Sequence, residues 1–276
     1  MSENKTVNLP YFDALLKDFQ KDKTEIIQSF GNHVHWGYWE NPNSADGSIE
    51  DFTQAAENLS QKVYNSGKIA DNMRVLDCGC GFGGTIASLN QRFNNMQLTG
   101  LNIDSRQLAR ARQQVQPRAQ NKIEFVEADA CELPFENNSF DAVLAVECIF
   151  HFPSRERFFQ EALRVLKPGG TLAISDFVPR QIIIPFTKIG SELAKDTLHK
   201  ALGYVDVNFS ITDYRKLSKE TGFKPLIEAD ITRNTLPTYS LVRKLQNKED
   251  KIINFAEKLS RWRVIRYLVL SYKKID

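Results

Sequence analysis

Short apolar runs recur through the middle of the chain, and longer amphipathic stretches separate them. The runs predict five strands, at residues 74–78, 97–102, 122–126, 140–146 and 171–176. After the second strand, one helical face carries Leu108, Ala111 and Val115, and Asp104 or Ser105 is placed to cap that helix. Strands that alternate with helices predict an α/β fold with a doubly wound, mostly parallel sheet.

The flanking segments have a weaker pattern. Residues 1–70 are predicted to be mostly helical, because apolar residues recur there at helical spacing in two places: Phe12, Leu15, Leu16 and Phe19, then Ala55, Leu59 and Val63. Residues 32–39 are too aromatic and too interrupted by glycine for either helix. Towards the C-terminus we expect a helix over 212–221 and strands over 223–230 and 266–272. For the last segment, which follows Arg261 and Arg263, the alternative is an amphipathic helix on a membrane surface.

A glycine-rich turn follows the first predicted strand. Gly79, Gly81 and Gly84 satisfy the dinucleotide pattern G-x-G-x-x-G. Asp77 precedes them, and its charge would repel a dinucleotide pyrophosphate but attract a ligand with a cationic amino-acid tail. The helix that starts after the turn offers free N–H groups to a polar ligand. The turn therefore indicates a cofactor site.

The same turn resembles the first motif of the class I S-adenosylmethionine-dependent methyltransferases, which reads acid-x-Gly-x-Gly-x-Gly. Asp77, Gly79, Gly81 and Gly83 match it position for position. Four further segments resemble later motifs of that family, in the same order: 98–104, 127–135, 140–146 and 164–172. The resemblance implies a Rossmann-like seven-stranded sheet with an antiparallel last strand, N-terminal helices and a helical cap.

That resemblance also implies a division of the chain, within a single compact unit. Residues 1–70 would form an N-terminal helical lid, 71–178 the cofactor-binding α/β core, and 179–276 the end of the sheet. Two insertions in the last part, roughly 178–208 and 234–262, would form a mostly helical cap over the substrate.

A closer likeness is to methyltransferases that act on small molecules and tailor natural products, including sugar O-methyltransferases of macrolide and indolocarbazole pathways. The segments that carry it are 35–39, 100–103, 147–152 and 175–178. In the sugar enzymes two adjacent histidines follow the fourth strand, whereas this chain has Phe150 and His151. The substitution puts sugar specificity in doubt.

The resemblance implies a set of residues for S-adenosyl-L-methionine. Asp77 would meet the methionine ammonium, and the loop at Asp129 would meet the adenine edge. Asn102 stands where an acid commonly binds both ribose hydroxyls, and an amide can accept from one hydroxyl and donate to the other. The full predicted set is Tyr38, Asp77, Gly79, Cys80, Gly81, Asn102, Ile103, Gln107, Asp129, Ala130 and Val146.

Methyl transfer to a hydroxyl benefits from a general base, and His151 follows a central strand, at the sheet edge where open α/β folds bind ligands. Asp176, at the end of the next strand, is expected to orient that imidazole or to stabilise its cation. Glu147 is the alternative base for carbon methylation, whereas an amine acceptor needs only positioning. The sequence leaves O-, C- and N-methylation open.

Composition limits the kinds of partner and the cellular compartment that we expect for this protein. A net charge of +2 without a Lys/Arg stripe gives no case for a nucleic-acid partner. No apolar run approaches the roughly 18 residues of a membrane span, and no apolar signal core begins the chain, so a cytoplasmic protein is expected. Four cysteines without metal-ligand spacing predict reduced thiols and no metal site.

The acceptor and the oligomeric state are less constrained. An apolar stretch over 182–186 suggests a lipophilic small-molecule acceptor. A homodimer is one option for the assembly. Two other functions share the glycine turn: a nicotinamide-dependent oxidoreductase, and a protein that binds the cofactor but has no chemistry.

Overall fold

The computed structural model describes residues 9–185, 199–200, 203–246 and 251–275. Seven strands form one sheet in the order β3-β2-β1-β4-β5-β7-β6. Their bounds are β1 Arg74–Cys78, β2 Gln97–Asn102, β3 Lys122–Glu127, β4 Phe140–Val146, β5 Leu166–Pro179, β6 Phe223–Asp230 and β7 Ile265–Lys274. Strand β7 runs antiparallel to both β5 and β6, whereas β1 to β5 pair in parallel. The predicted doubly wound sheet with an antiparallel last strand is confirmed.

Strand β5 is longer than the predicted 171–176. It pairs with β7 without interruption from Thr171 to Pro179, so the backbone stays extended past the point where the apolar run ends. This pairing also excludes the surface-helix alternative for 266–272, because Leu268, Val269 and Leu270 are buried between two strands. Within the described part of the chain, no helix has the length and apolar character to cross a bilayer.

Ten α-helices lie within the described residues. They are α1 Pro10–Gln20, α2 Thr24–Phe30, α3 Ile49–Ser66, α4 Gly84–Arg92, α5 Ser105–Gln114, α6 Arg155–Val165, α7 Ile211–Thr221, α8 Thr232–Thr235, α9 Pro237–Gln246 and α10 Lys251–Arg261. The Asp104 carboxylate accepts from the Arg106 amide at 2.9 Å, which confirms it as the cap of α5. Helix α7 ends at Thr221, and Gly222 after it has a positive φ of 90°, which suits a residue without a Cβ.

Both faces of the sheet are covered. Leu59 and Val63 of α3 are fully buried in the core on one face, as their spacing predicted. Phe158 and Phe159 of α6 are buried on the other, in the same core as Tyr214 of α7. Helices therefore bury both faces of the sheet, and the carboxyl ends of the parallel strands are where a ligand can bind.

The N-terminal helices pack against the glycine turn. Phe12 and Phe19 of α1 contact Phe82 in that turn, with ring centroids 5.8 and 5.5 Å apart. The Arg110 guanidinium lies 4.3 Å from the centroid of the Phe19 ring and 5.2 Å from that of Phe82. These contacts hold α1 across the carboxyl edge of the sheet.

The second predicted insertion, 234–262, holds α9 and α10, and α8 overlaps its start. Leu241 of α9 is buried with Trp39 and Phe52, and Tyr239 bonds Ser260 of α10 at 2.9 Å. Of the first insertion, only parts of 178–208 are described, and Phe186 lies outside the described residues.

Candidate active site

A cavity of about 510 Å³ opens where β1, β2 and β4 end. Ten of the eleven predicted cofactor residues line it, and so do two of the three predicted catalytic residues. Those twelve are Asp77, Gly79, Cys80, Gly81, Asn102, Ile103, Gln107, Asp129, Ala130, Val146, Glu147 and His151. Ligands of open α/β sheets bind at this edge.

The glycine turn brings bare backbone to the cavity. Gly79 has φ +72°, and a Cβ there would lie 2.7 Å from Cys148 Sγ. Gly81 has φ +55° and faces open space. The amides of Gly79 and Cys80 donate to the Leu101 carbonyl at 2.8 and 3.0 Å, which ties the turn to β2. The backbone near Gly81 is therefore open to a ligand.

Asp77 carries an unmatched oxygen at the end of β1. The side chain is buried, and among the described residues its Oδ2 has no hydrogen-bond partner. Burial raises the pKa of Asp77 to about 8. A buried acceptor without a partner favours a ligand that brings a cation or a donor to it.

A chain of polar groups surrounds Asn102 at the end of β2. Its Nδ2 donates to Gln107 Oε1 at 3.0 Å, and its Oδ1 accepts from the Asp104 amide at 3.1 Å. On the neighbouring loop, Asp129 Oδ1 accepts from the Cys131 amide at 2.8 Å. Asn102 therefore orients Gln107 as well as lining the cavity, which explains why an amide suits this position.

His151 lies in a short 3₁₀ turn after β4, Ile149–His151, and both ring nitrogens have partners. Nδ1 lies 2.8 Å from the Tyr204 carbonyl, which can only accept, so Nδ1 carries the hydrogen. Nε2 is then the acceptor and takes a hydrogen bond from the Tyr11 hydroxyl at 2.9 Å. Burial lowers the pKa of His151 to about 4, with the nearby Arg155 charge acting in the same direction.

Tyr11 is a cavity residue that the sequence pattern missed. The helical spacing of 12, 15, 16 and 19 marked the buried stripe of α1, and Tyr11 lies beside that stripe, one turn before Leu15. Its ring stacks on His151 with centroids 5.7 Å apart. A polar aromatic at the border of an apolar helical stripe could have indicated it.

The prediction that Asp176 orients His151 is wrong. Asp176 is fully buried on the side of β5 that faces α6 and α7, and it does not line the cavity. Its Oδ2 accepts from Arg155 Nη2 at 3.0 Å and from the Tyr214 hydroxyl. Asp176 therefore fixes α6 and α7 to the sheet through a buried ion pair.

Glu147 lines the cavity beside β4 with a positive φ of 51°. Its Oε2 accepts from the Trp36 amide at 3.0 Å and from the Tyr267 hydroxyl. Burial raises the pKa of Glu147 to about 8, against the lowering effect of those hydrogen bonds. At neutral pH this carboxyl is largely protonated.

The prediction that Tyr38 reaches the cofactor is also wrong. Tyr38 is buried in the core beneath α3, its hydroxyl donates to Glu40 at 2.8 Å, and its amide donates to the Ala55 carbonyl. The same loop instead brings His33 and His35 to the cavity. The loop has no period-2 or helical repeat from which the inward side chains could be predicted.

The two histidines belong to a hydrogen-bonded chain next to α4. His33 Nε2 lies 3.0 Å from Glu57 Oε2, and His33 Nδ1 lies 3.1 Å from His35 Nε2. Burial lowers the pKa of His35 to about 3, and the His33 bond helps to lower the pKa of Glu57 to about 2. This chain supports the wall of the cavity at the glycine turn.

The described part of α8 to α10 contributes no residue to the cavity lining. The wall opposite the sheet comes instead from α1 and from the first insertion, through Tyr11, Phe12, His199 and Tyr204. Within the described residues, no group of three His, Cys, Asp or Glu side chains is arranged to hold a metal ion.

A Rossmann-like sheet, an open glycine turn and a buried unpartnered carboxylate define a site for a nucleoside cofactor with a cationic tail. The family model described as a methyltransferase domain matches residues 76–174. The chain is 30% identical to methyltransferase GfsG of Streptomyces halstedii, over 82% of this chain and 80% of that protein. It is 29% identical to the 27-O-demethylrifamycin SV methyltransferase of Amycolatopsis mediterranei, over 78% and 75%.

A solved structure has the same fold. It is that of geranyl diphosphate C-methyltransferase from Streptomyces coelicolor, in complex with Mg²⁺, geranyl diphosphate and S-adenosyl-L-homocysteine. The two structures superpose with a TM-score of 0.72 at 16% sequence identity, over 93% of this chain and 98% of that one. The chain belongs to the class I S-adenosylmethionine-dependent methyltransferases of small molecules. This membership excludes the nicotinamide interpretation of the glycine turn.

The residues present fit the cofactor S-adenosylmethionine. The unpartnered Asp77 oxygen suits the methionine ammonium, and the open backbone at Gly81 suits a ligand that approaches closely. Asn102 with Gln107 offers donors and acceptors suited to ribose hydroxyls, and the loop at Asp129 and Ala130 lies on the same cavity wall. The cofactor supplies an electrophilic methyl group, and the chain supplies its binding.

Proposed function

We propose that this enzyme methylates a hydroxyl of a small lipophilic metabolite, with His151 as general base. The observation that carries the proposal is the tautomer of His151: with Nδ1–H bonded to the Tyr204 carbonyl, Nε2 is left as an acceptor in the cavity. Asp77, Gly79, Cys80, Gly81, Asn102, Ile103, Gln107, Asp129, Ala130 and Val146 are proposed to bind the cofactor.

The low pKa of His151 sets how the base acts. An imidazole with a pKa of about 4 is neutral throughout the physiological range, so Nε2 is always free of a proton. It is a weak base, and the hydroxyl proton moves to it only as the new C–O bond makes that proton acidic. Positioning in a dry cavity therefore supplies the larger part of the acceleration.

Tyr11 occupies the place that an acceptor hydroxyl would take beside Nε2. An acceptor must displace the Tyr11 hydroxyl or donate to it, and in the second case Tyr11 passes the proton on to His151. Either route keeps the proton on a path that ends at Nε2.

The cavity wall supports a lipophilic acceptor. Apolar side chains from α1 and the residue before it, the 32–39 loop, the glycine turn and the turn after β4 contribute to it: Leu9, Phe12, Val34, Phe82, Cys148 and Phe152. Such a wall favours apolar ligands oriented by a few polar groups.

The test uses a panel of lipophilic alcohols and phenols, with the methylated product measured by mass spectrometry. We expect His151→Ala to lower kcat by about 10²–10⁴-fold, the usual contribution of general acid–base catalysis, with S-adenosylhomocysteine affinity unchanged. In the wild type at saturating S-adenosylmethionine, kcat/KM for the acceptor should rise with pH through a transition near 4 and stay level above it. Near-normal turnover by His151→Ala would show that positioning alone carries the reaction.

Carbon methylation is the second candidate, because Glu147 also lines the cavity. With a pKa of about 8, its carboxyl would have to lose its proton before acting as a base, so activity should rise towards pH 8. Glu147→Gln should then abolish turnover while His151→Ala leaves most of it. If the acceptor atom is a nitrogen, both substitutions should lower turnover only slightly.

We also propose that the enzyme works in the cytoplasm on a small molecule and binds no nucleic acid. The near-neutral net charge of +2 supports the last point. Cell fractionation tests the compartment, and light scattering tests whether the protein is a homodimer.

A further inference from the structure

Three of the large apolar side chains that are exposed outside the cavity lie on α10, just after α10, or on the turn after β5. Ile182, Phe255 and Trp262 expose 79, 62 and 70% of their surfaces. Phe255 and Trp262 are seven residues apart along α10 and its end, so they share one helical face with Lys251 and Lys258. We name these five residues the α10 face. Clustered exposed aromatic and apolar groups mark interaction surfaces.

The α10 face lies at the same edge of the sheet as the cavity. Strand β7 starts at Ile265, which pairs with Pro179 at the carboxyl end of β5, and the Arg180 amide continues the pairing to the Val264 carbonyl at 3.0 Å. The turn that carries Ile182 therefore runs beside the chain that carries Trp262. Tyr204, half exposed on the cavity wall, lies on this side too.

Among the described residues, the charged side chains on this face are cations. Glu257 is the one acidic residue of α10, and its side chain is turned inward with 12% exposed. It accepts hydrogen bonds from both Arg243 and Arg261, so one carboxylate is shared by two guanidinium groups. Lys251 and Lys258 are exposed beside the apolar side chains.

We propose that the α10 face docks on the surface of an anionic lipid bilayer. Phe255, Trp262 and Ile182 would enter the boundary between headgroups and acyl chains, while Lys251 and Lys258 meet lipid phosphates. A twofold contact between two copies is disfavoured, because it would bring the same cations face to face. Docking would turn the cavity edge towards the bilayer.

Trp262 provides an intrinsic probe, since Trp39 is buried and Trp36 is packed against Phe177 and Tyr239. The full chain is mixed with phosphatidylcholine vesicles that contain either no phosphatidylglycerol or a quarter of it. We expect a blue shift of Trp emission and co-sedimentation with the anionic vesicles, both weakened by salt.

Two variants test the face against matched controls. Phe255→Ser and Lys258→Glu should each lower the partition coefficient by roughly tenfold, since one loses buried apolar area and the other reverses a charge. Ile275→Ser, with 59% of the side chain exposed, and Lys219→Glu make the same changes near the opposite edge of the sheet and should have no effect. Unchanged S-adenosylhomocysteine affinity shows that each variant is folded.

Three results would overturn the proposal. The first is no binding of the wild type to anionic vesicles, and the second is equal binding by wild type and both face variants. The third is a dimer, seen by light scattering, that Phe255→Ser and Lys258→Glu separate into monomers without any vesicle binding, because this would assign the face to a second copy.

Discussion

Asp77 is expected to release a proton when the cofactor binds. Its pKa rises from an ordinary 3.8 to about 8, a difference of about 4 units, or on the order of 6 kcal/mol against ionisation in the ligand-free cavity. At pH 7 Asp77 is therefore mostly protonated in the ligand-free enzyme. An ammonium group beside the carboxylate favours the charged form and expels that proton.

The assay is calorimetry with S-adenosylhomocysteine in buffers of different ionisation enthalpy. Close to one proton should be released at pH 7, and Kd should fall nearly tenfold per pH unit between about 5.5 and 7. In that range the α-amino group of the ligand stays protonated, since its ordinary pKa is roughly 8. Asp77→Asn should release no proton and bind about 1.5–3 kcal/mol more weakly, the scale of a hydrogen bond to a charged group.

Glu147→Gln is the control, because Glu147 also lines the cavity with a pKa of about 8. If it releases the same proton as the wild type, the proton comes from Asp77. Proton release that persists in Asp77→Asn, or a Kd that does not vary with pH, would refute the reasoning.

The same two carboxyls predict how the ligand-free enzyme responds to pH. Both folded pKa values lie above the unfolded ones, so the folded state binds more protons and loses stability as pH rises towards 8. Below about 6.5, His35 and His151 oppose this trend, since their folded pKa values are lowered. Urea unfolding should therefore show a loss between pH 6.5 and 8 of up to about 1.4 kcal/mol per pH unit for each carboxyl.

Three further predictions concern single positions. Gly81→Arg should abolish S-adenosylhomocysteine binding by filling the open space at φ +55°, whereas Gly47→Arg, at φ +75° in an exposed loop, should not. Asn102→Asp should leave affinity unchanged or tighten it by up to ~1.5 kcal/mol if the Gln107 amide turns to donate, and a loss above tenfold would show that it does not turn. Asp176→Ala should lower the free energy of unfolding by about 3–5 kcal/mol, because it leaves the buried Arg155 guanidinium without one of its partners, and cofactor affinity should be unchanged. A variant that keeps full stability but loses turnover would show that Asp176 has a catalytic role.

The strands and the cofactor wall could be predicted because their determinants are local. Period-2 and apolar patterns marked the core strands, and the turn from Asp77 to Gly84 carries its geometry in consecutive residues. The predicted cofactor residues on strand ends all line the cavity, because parallel strands end at one edge.

The errors fall where the partner is distant in sequence. Asp176 is predicted at the end of β5, but β5 continues to Pro179, and the Asp176 side chain faces Arg155 on the helix behind the sheet because a strand alternates its faces with each residue. Tyr38 lies in a loop without periodicity. The contact of Tyr11 with His151 spans 140 positions, so no local pattern encodes it.

Helix α1 contacts both the glycine turn and the proposed base. It carries Phe12, which packs on the glycine turn, and Tyr11, which completes the hydrogen bonds of His151. We infer that a movement of α1 away from the glycine turn would also break the Tyr11–His151 bond, because Tyr11 and Phe12 are adjacent on this helix. Access to the cavity and the hydrogen bonding of the proposed base would then change together.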